Sequence, residues 1–444
     1  MSDRPHIETT PSTARRVTAN ITWLMADGVI RLGVVFVVGV FVARYLGPAR
    51  YGDLAFATAI VSIFIAVSSI GLDALLVREL VRRVEDQPAL MGTAFWLRLL
   101  AGAIGSLAAV GVAYLLVPSD LHLVALTAIA SVSVVARAFG VIELWFQHAI
   151  LSRHAVAARL ASLTIASALR IMLVVFEADV VWFAVAFSLE AILTALGLAV
   201  VYAAKRGPAF ARAFRVAEAS RLLKEGWPGI GASLAVILYM RVDQVMLGTL
   251  STAAELGHYA VAVKLVEAAN FLPVIVLASI LPVLVASRRD DSATYRRQLH
   301  RLHTAMLYGS VVFALVMSTA GPALITFAFG AAYATASDLI RIYAWSFVFV
   351  SMSTTTGKWL YIEGLVPFTF VLQGIGAALN VGLNAALIPA YGAYGATVAT
   401  LVSYGAAAFV FLWLFRPLRP AARMWVGALF TPALLTTRRF ERGR

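Results

Sequence analysis

The sequence contains no cysteine and few charged residues. Without cysteine, disulfide bonds, thiolate metal ligands and a cysteine nucleophile are all excluded. Charged residues make up 13% of the chain, whereas about 25% is usual in a soluble protein. No G-x-x-x-x-G-K-[ST] loop, H-E-x-x-H motif or histidine cluster occurs, so the sequence predicts no ATP hydrolysis, no metal site and no cofactor. We therefore assign no catalytic residues and do not expect an enzyme.

Long apolar runs take the place of the missing charge. Hydrophobic residues form 61% of the chain, and apolar runs of about 20 residues recur along it, which is typical of a helical membrane protein. The predicted fold class is an all-α polytopic membrane protein of about twelve transmembrane helices. The predicted spans are 20–45, 52–76, 92–117, 121–146, 156–177, 180–203, 227–250, 256–285, 302–320, 338–361, 365–388 and 393–415.

The basic residues outside these spans predict the orientation of the chain. Nearly all of them fall in one set of alternate loops and in both tails, whereas the opposite loops hold only Arg44 and Arg50. By the positive-inside rule, both termini are expected on the cytoplasmic side. This distribution explains the net charge of +13 without nucleic-acid binding, and it places the basic loops against anionic membrane lipids.

The longest hydrophilic stretch divides the spans into two sets of six. The two sets echo each other, because L-G-P-A-R-Y-G-D-L-A-F-A after the first span matches S-T-A-A-E-L-G-H-Y-A-V-A after the seventh, with Gly52 and Gly257 in register. Parallel repeats of this kind predict two six-helix lobes around a central cavity. The predicted boundaries are a cytoplasmic tail at 1–19, a first lobe at 20–204, a cytoplasmic linker at 205–226, a second lobe at 227–415 and a basic cytoplasmic or interfacial tail at 416–444.

Charged residues inside the spans are the first candidates for function, because a charge at membrane depth costs about 2.5–3.5 kcal/mol on insertion scales. The acidic ones are Asp27, Glu143, Glu190, Asp243 and Glu267. The more numerous basic ones are Arg31, Arg98, Arg137, Arg159, Arg170, Arg241, Lys264, Arg341 and Lys358. A cationic interior favours an anionic ligand, and the planar fork of arginine suits a diphosphate.

Position within the spans separates these cations. Arg31, Arg241 and Lys264 lie near span centres, which favours a cavity or ligand role. We expect Arg98, Arg159, Arg341 and Lys358, which lie nearer the ends, to reach the lipid headgroups. The alternative for the central residues is a local ion pair, Asp27 with Arg31 or Lys264 with Glu267, since residues three or four apart share a helix face.

Residues 239–248, Y-M-R-V-D-Q-V-M-L-G, place two opposite charges within three positions. Arg241 and Asp243 point about 200° apart on a helix, so each needs its own partner. In the next span, Pro273 is expected to interrupt the helix. The eleventh span carries a stripe of polar and small residues that consists of Gln373, Gly376, Asn380 and Asn384. Such a stripe is equally typical of cavity lining and of helix packing.

Four segments together resemble one known family. They are A-R-Y-L-G-P-A-R-Y-G at 43–52, E-L-W-F-Q at 143–147, the run from M-R-V-D-Q-V-M-L-G to L-V-E-A at 240–268, and A-L-N-V-G-L-N-A-A-L-I-P-A-Y-G-A-Y-G-A-T-V-A-T-L-V-S at 378–403. In this order they resemble bacterial polysaccharide flippases of the multidrug/oligosaccharidyl-lipid/polysaccharide exporter superfamily. The resemblance covers about residues 15–415.

The resemblance implies a flippase in the bacterial inner membrane. Its substrate would be a polyprenyl-diphosphate-linked oligosaccharide, moved from the cytoplasmic to the periplasmic leaflet by alternating access for export of a surface polysaccharide such as O-antigen, lipopolysaccharide or exopolysaccharide. A polysaccharide polymerase and chain-length proteins are the implied partners. The two extra helices usual in the lipid II flippase branch are absent from the prediction, which argues against a peptidoglycan precursor as substrate.

Residue roles follow from these considerations. We expect the substrate-binding cavity to be lined by Arg31, Arg137, Arg241, Lys264, Asn380 and Asn384. The candidates to carry a coupling proton or sodium ion are Asp243, Glu267, Glu190 and Asp27. A multidrug or cation antiporter of the same fold is the alternative, although it would need an acidic cavity. A membrane-embedded glycosyl or polymer-ligating enzyme is a third, less favoured hypothesis, because the outward loops are short and nearly free of acids.

Overall fold

The computed structural model describes residues 11–69 and 71–430, with the side chains of 11–22, 24–26, 228, 232, 289 and 290 left undescribed. The first ten and last fourteen residues of the predicted tails therefore lie outside the described part. Within it the chain is helical and has no strand, and nine helices are long and apolar enough to cross a membrane. The predicted class, an all-α polytopic membrane protein, is confirmed.

The helices are grouped into two compact units. The first unit comprises the described residues up to Val42 together with Ile60–Leu234, and the second comprises Ala43–Ala59 and the chain from Ala235. The helices in order up to this boundary are α1 (Pro11–Ser68), α2 (Asp73–Arg82), α3 (Gln87–Leu116), α4 (Leu121–Ala136), α5 (Gly140–His148), α6 (Ser152–Val175), α7 (Val180–Ala204) and α8 (Val216–Leu250), which continues across it.

The second unit continues with eight more helices. They are α9 (Ala253–Glu267), α10 (Phe271–Asp290), α11 (Ser292–Phe329), α12 (Ala334–Tyr343), α13 (Ser346–Ile362), α14 (Pro367–Gly405), α15 (Phe411–Leu414) and α16 (Arg419–Phe430). A π-helical turn, Ala406–Val410, joins α14 to α15. Each unit has its own apolar core, centred on residues such as Leu76 and Phe146 in the first and Leu302 and Leu412 in the second.

Breaks in the long helices agree with most of the predicted span limits. Non-helical backbone at Gly47 (φ 70°) divides α1 where the first predicted loop lies, and Gly392 (φ 52°) divides α14 between the last two predicted spans. The predicted interruption near Pro273 is confirmed, because α9 ends at Glu267 and α10 begins at Phe271. Proline in the first turn of α10 costs little, since the backbone N–H groups there have no helical partner.

Three predicted spans are divided where no break was expected. The span at 121–146 contains a 3₁₀ turn, Arg137–Phe139, between α4 and α5. The span at 338–361 falls on α12 and α13, each too short to cross a membrane by itself. The span at 52–76 is divided between α1, which ends at Ser68, and α2, which begins at Asp73. The 3₁₀ turn between α4 and α5 positions a candidate site residue.

The two units do not follow the predicted lobe boundaries. The boundary lies inside the continuous helix α8, at Leu234, and not at residue 227. Ala43–Ala59 belongs to the second unit, where Gly52 lies against the backbone of Ala253 and Gly257 against the backbone of Pro48. Close backbone packing, which only glycine permits, explains why this segment joins the second unit.

Candidate functional site

Arg137 is placed by the break between α4 and α5. The 3₁₀ turn Arg137–Phe139 interrupts the helix, and the Arg137 side chain is exposed although it lies at membrane depth. Among the side chains that the structure describes, it has neither an ion pair nor a hydrogen bond. A guanidinium without a partner at this depth must be solvated by water or by a ligand.

Two internal cavities of the first unit meet at Arg137. One, of about 460 Å³, is lined by the charged residues Asp27, Arg31, Arg137, Glu143, Arg159 and Glu190. The other, of about 690 Å³, shares Arg137 and Glu143 and adds Asp73, Arg78 and Arg98. Space on both sides of Arg137 allows a polar ligand to reach its guanidinium.

The other arginines of this cluster are paired between helices. Arg159 on α6 binds Asp27 of α1, with Nη2 and Oδ2 2.6 Å apart, and also contacts Glu143 of α5. Glu190 on α7 forms ion pairs with Arg170 at 2.9 Å and with Arg31 at 3.6 Å. The local pair Asp27–Arg31, considered as an alternative, is replaced by these contacts between different helices.

The expectation that Arg98 and Arg159 reach the lipid headgroups is wrong. Arg98 is only 5% exposed and binds Asp73 of α2 at 2.5 Å. Arg159 is paired inside the unit as described above. The interior is therefore closer to neutral than the sequence count predicted, because carboxylates from other helices, including Asp73 on α2, neutralise most of the arginines. In the smaller cavity three arginines face three carboxylates.

A second polar site lies in the second unit around Asp243. Its side chain is 2% exposed, and Oδ2 accepts hydrogen bonds from the Tyr259 hydroxyl and from Thr400 Oγ1, the latter at 3.3 Å. Oδ1 accepts from the backbone N–H of Gln244 at 2.7 Å. No lysine or arginine among the described side chains forms an ion pair with it. A buried carboxylate without a cationic partner is costly unless it holds a proton or binds a cation.

Asn380 and Asn384 continue this polar network. The Nδ2 of Asn380 donates to Ser403 Oγ at 3.0 Å and to Thr400 Oγ1 at 3.5 Å, and its Oδ1 accepts from Asn384 Nδ2 at 2.8 Å. Both amides are fully buried, and Asn384 Oδ1 has no hydrogen-bond partner in the described part of the chain. The two amides of the stripe therefore form hydrogen bonds within α14, next to Asp243. The unsatisfied oxygen of Asn384 can accept a hydrogen bond or bind a cation.

Arg241 and Lys264 have other partners in the second unit. Arg241 Nη2 pairs with Glu267 Oε2 at 3.1 Å, so Glu267 is taken by Arg241 and not by Lys264. Lys264 Nζ lies 3.5 Å from the Tyr51 hydroxyl and 5.9 Å from the centre of that ring. Asp243 and Arg241 thus have separate partners, as their spacing predicted.

The structure adds residues that the sequence did not single out for the site. Tyr259 and Thr400 complete the surroundings of Asp243, and Glu143, Arg159 and Arg170 complete the charge cluster around Arg137. The charges among them were visible as charges within spans, but their partners depend on which helices pack together. No sequence signal marks Thr400 or Tyr259. No group of three or more metal-ligating side chains occurs within residues 11–69 and 71–430.

Solved structures with a similar fold are membrane transporters. The chain is similar to the lipid II flippase MurJ in an inward closed conformation, with a TM-score of 0.70 and 14% identity over 93% of this chain and 91% of that one. It is also similar to an inward-facing multidrug resistance MATE family transporter of the MOP superfamily, with a TM-score of 0.65 and 16% identity over 88% and 96%. For a Vibrio cholerae MATE transporter the values are 0.56 and 17%, over 94% and 99%.

At such low identities the likeness establishes the fold alone. Fold and buried charges together define the chain as a multi-pass helical membrane protein built like the transporters of this superfamily. The family model described as polysaccharide biosynthesis protein matches residues 17–288, more than half of the sequence. The chain belongs to the polysaccharide biosynthesis protein family, which confirms the resemblance drawn from its motifs. No curated protein matches the chain significantly.

Proposed function

We propose that the chain is a flippase that moves a polyprenyl-diphosphate-linked oligosaccharide from the cytoplasmic to the periplasmic leaflet by alternating access. Family membership supports a role in polysaccharide synthesis, and the fold supports transport. This function places the chain in the bacterial inner membrane, where it serves the export of a cell-surface polysaccharide. The concentration of lysine and arginine on one set of loops supports cytoplasmic termini.

The unpaired guanidinium of Arg137 is the main support for this proposal. Arg137 is the one arginine of the first unit's described charge cluster that is exposed to both cavities and has no carboxylate partner. A diphosphate offers several oxygens to a guanidinium fork, so binding would satisfy the N–H groups of Arg137 and offset the cost of holding its charge at membrane depth. The paired arginines around it, Arg31 and Arg159, can share their hydrogen bonds with the same anion.

The second unit supplies the proposed coupling site. Of the four carboxylates predicted for this role, Asp27, Glu190 and Glu267 form ion pairs with arginines, whereas Asp243 is buried with hydroxyl and amide donors only. A proton or a sodium ion at Asp243 would neutralise it, and exchange of that ion would favour one conformation over another. The unsatisfied Asn384 Oδ1 in the same network supports a cation in preference to a purely structural role.

A deletion strain tests the proposal directly. The host lacking this chain should accumulate lipid-linked oligosaccharide and lose surface polysaccharide, and the wild-type gene should restore both. Arg137→Gln should accumulate the lipid-linked intermediate while present in the membrane at the normal amount. Arg341→Gln is a matched control, since Arg341 is an exposed arginine that only faces Asp338 three residues away.

The same strain separates this function from a multidrug or cation antiporter. Unaltered glycans together with a new sensitivity to organic cations would overturn the flippase proposal. The balanced first-unit cavity, with its unpaired arginine, argues against a cationic substrate. A polymerase and chain-length proteins are the proposed partners, because a translocated oligosaccharide must be polymerised after it crosses.

A further inference from the structure

The arginines at the helix ends fall into two groups with different surroundings. In the first unit, three arginines near α2 and the linker are neutralised within the protein. Arg221 binds Glu79 at 2.9 Å, Arg83 binds Glu218 at 3.1 Å, and Arg215 binds Asp86 at 3.0 Å. The hydrogen bond from Arg83 to Glu218 raises the pKa of Arg83 above its usual value. These arginines are therefore committed to holding the linker in place.

The second unit carries a group of arginines with no such partners, which we call the arginine platform. All its members are exposed, and none forms an ion pair with a carboxylate among the described side chains. The nearby acids are occupied, because Glu363 binds Arg288 at 3.1 Å and Asp291 caps α11 through the N–H of Ala293. The platform consists of Arg296, Arg297 and Arg301 on α11 and Arg416, Arg419 and Arg423 at and before α16.

Packing of α16 against α11 holds the platform together. Trp425 is fully buried, its Nε1 donates to Thr356 Oγ1 at 3.0 Å, and its ring meets the His303 ring with centroids 4.4 Å apart. Farther along, the Tyr308 hydroxyl donates to the carbonyl oxygen of Leu429 at 3.2 Å. With this face of α16 against the protein, Arg419 and Arg423, four residues apart, remain together on its exposed side.

The position of the platform along α11 corresponds to a membrane surface. Ser292–Phe329 contains 38 residues and so extends about 57 Å, nearly twice the roughly 30 Å of the hydrocarbon core. Arg296, Arg297 and Arg301 precede the predicted span at 302–320 and lie where the helix leaves the core. The exposed Phe430 (80%) and Leu429 (52%) end α16, as in a helix that lies in the interface with its apolar residues in the acyl boundary.

We propose that the arginine platform binds the phosphate groups of anionic phospholipids and fixes the second unit to the headgroup layer. Arginine forks match phosphate oxygens at two points, and no described carboxylate forms an ion pair with the platform arginines. Each basic residue near an anionic surface contributes about fivefold in affinity. Arg83, Arg215 and Arg221 of the first unit do not take this role, because their carboxylate partners already occupy them. This lipid site is separate from the cavities around Arg137.

Spin-labelled lipids test this assignment on the full-length protein. The purified chain is reconstituted in phosphatidylcholine vesicles, and electron paramagnetic resonance gives the association constant of labelled phosphatidylglycerol relative to labelled phosphatidylcholine. We expect the wild type to prefer phosphatidylglycerol. That preference should fall by at least about tenfold in a fourfold variant of the platform, given about fivefold per arginine. The variant carries R297Q, R301Q, R419Q and R423Q.

A matched variant removes the same charge from exposed first-unit positions that form no ion pair among the described side chains; it carries R153Q, K205Q, R206Q and R212Q. It should keep most of the wild-type preference. An equal fall in both variants, or none in the platform variant, would overturn the proposal. Competition by inorganic phosphate beyond that of sodium chloride at equal ionic strength would show a free-phosphate site and would also overturn the lipid assignment. The readout involves no transport, so its outcome is independent of the flippase proposal.

Discussion

Arg137 and Asp243 are two charges at membrane depth that need an external partner. Each lacks an ion pair among the described side chains, whereas Arg31, Arg159, Arg170 and their neighbours are neutralised by carboxylates of other helices. An unpaired charge at this depth lowers stability, so its presence indicates a ligand. Arg137 is suited to an anion and Asp243 to a proton or a metal cation, as the proposed coupled flippase requires.

Replacement of Asp243 by Asn should abolish ion coupling. Asn keeps the size of the side chain and can still accept from Tyr259 and Thr400, but it cannot carry the charge that attracts a cation. We expect the thermal unfolding midpoint of the wild type to rise with sodium chloride relative to choline chloride if the ion is sodium, or to depend on pH if it is a proton. The D243N variant should lose that dependence.

The control for this experiment is D338N, which removes an exposed carboxylate of the same unit. It should respond to ions as the wild type does. Ion dependence that persists unchanged in D243N would place the coupling site at another carboxylate.

The two turns of the repeated motif, at 46–57 and 251–262, pack against each other. A Cβ on Gly52 would meet the backbone of Ala253, and a Cβ on Gly257 would meet the backbone of Pro48. Gly52 and Gly257 correspond in the repeat, and so do Pro48 and Ala253, so the two contacts are equivalent. This reciprocal contact is what an approximate two-fold relation between the turns would produce, and it gives a physical reason for the glycines in the repeated motif.

Gly257→Ala should therefore destabilise the protein. The added methyl group would overlap a backbone carbonyl, which cannot move as a flexible side chain can, and overpacking of this kind costs about 1–3 kcal/mol. The measurement is the thermal unfolding midpoint of the purified protein. Gly111→Ala is the matched control, because nothing lies within 4 Å of its Cβ position on α3. It should be neutral or stabilising by up to about 1 kcal/mol. Equal midpoints for the two variants would contradict the close contact.

The linker at 205–226 is another element whose behaviour the structure specifies. Trp96 Nε1 donates to the carbonyl oxygen of Ala211 at 2.8 Å, and Glu218, 8% exposed, binds both Arg83 and Arg221. The predicted boundaries place this linker between the two lobes and in neither of them. These interactions instead make it part of the first unit.

Glu218→Gln should release this linker. The substitution removes the charge that Arg83 and Arg221 share and leaves two guanidinium groups close together without it. Limited trypsin digestion should then cut at Arg206 or Arg212 several times faster than in the wild type, and high salt should accelerate cleavage of the wild type in the same direction. Glu85→Gln changes an exposed carboxylate that forms no ion pair with the described side chains and should have no effect. Identical digestion of both variants would show that the ion pairs of Glu218 do not hold the linker in place.

Much of the fold could be predicted from the sequence, because apolar runs of membrane length and the breaks at Gly47 and Gly392 are local signals. The unit boundary inside α8 and the 3₁₀ turn at Arg137 could not, since neither interrupts the apolar pattern. Within the candidate sites, the charges themselves were predictable. Their partners were not, because Asp27–Arg159 and Asp243–Thr400 join residues more than a hundred positions apart.

For the whole molecule, the net charge of +13 has several physical origins. The arginines that are paired in the linker add nothing to it, the arginine platform supplies part of it, and Arg137 keeps one positive charge exposed to the first-unit cavities. The positive-inside pattern explains the orientation proposed for the chain, but only the structure separates arginines that bind carboxylates from those that remain available to a ligand.

Translocation by the chain itself, with Arg137 as the residue that holds the diphosphate, is the central step of the proposed function. Proteoliposomes containing only the purified protein and a fluorescent polyprenyl-diphosphate oligosaccharide, together with an impermeant quencher, measure the rate at which the labelled glycan changes leaflet. We expect a rate well above that of protein-free vesicles for the wild type and for R341Q. The R137Q variant should fall to the protein-free rate. Equal rates in R137Q and wild type, or no translocation by the wild type, would contradict the proposed function.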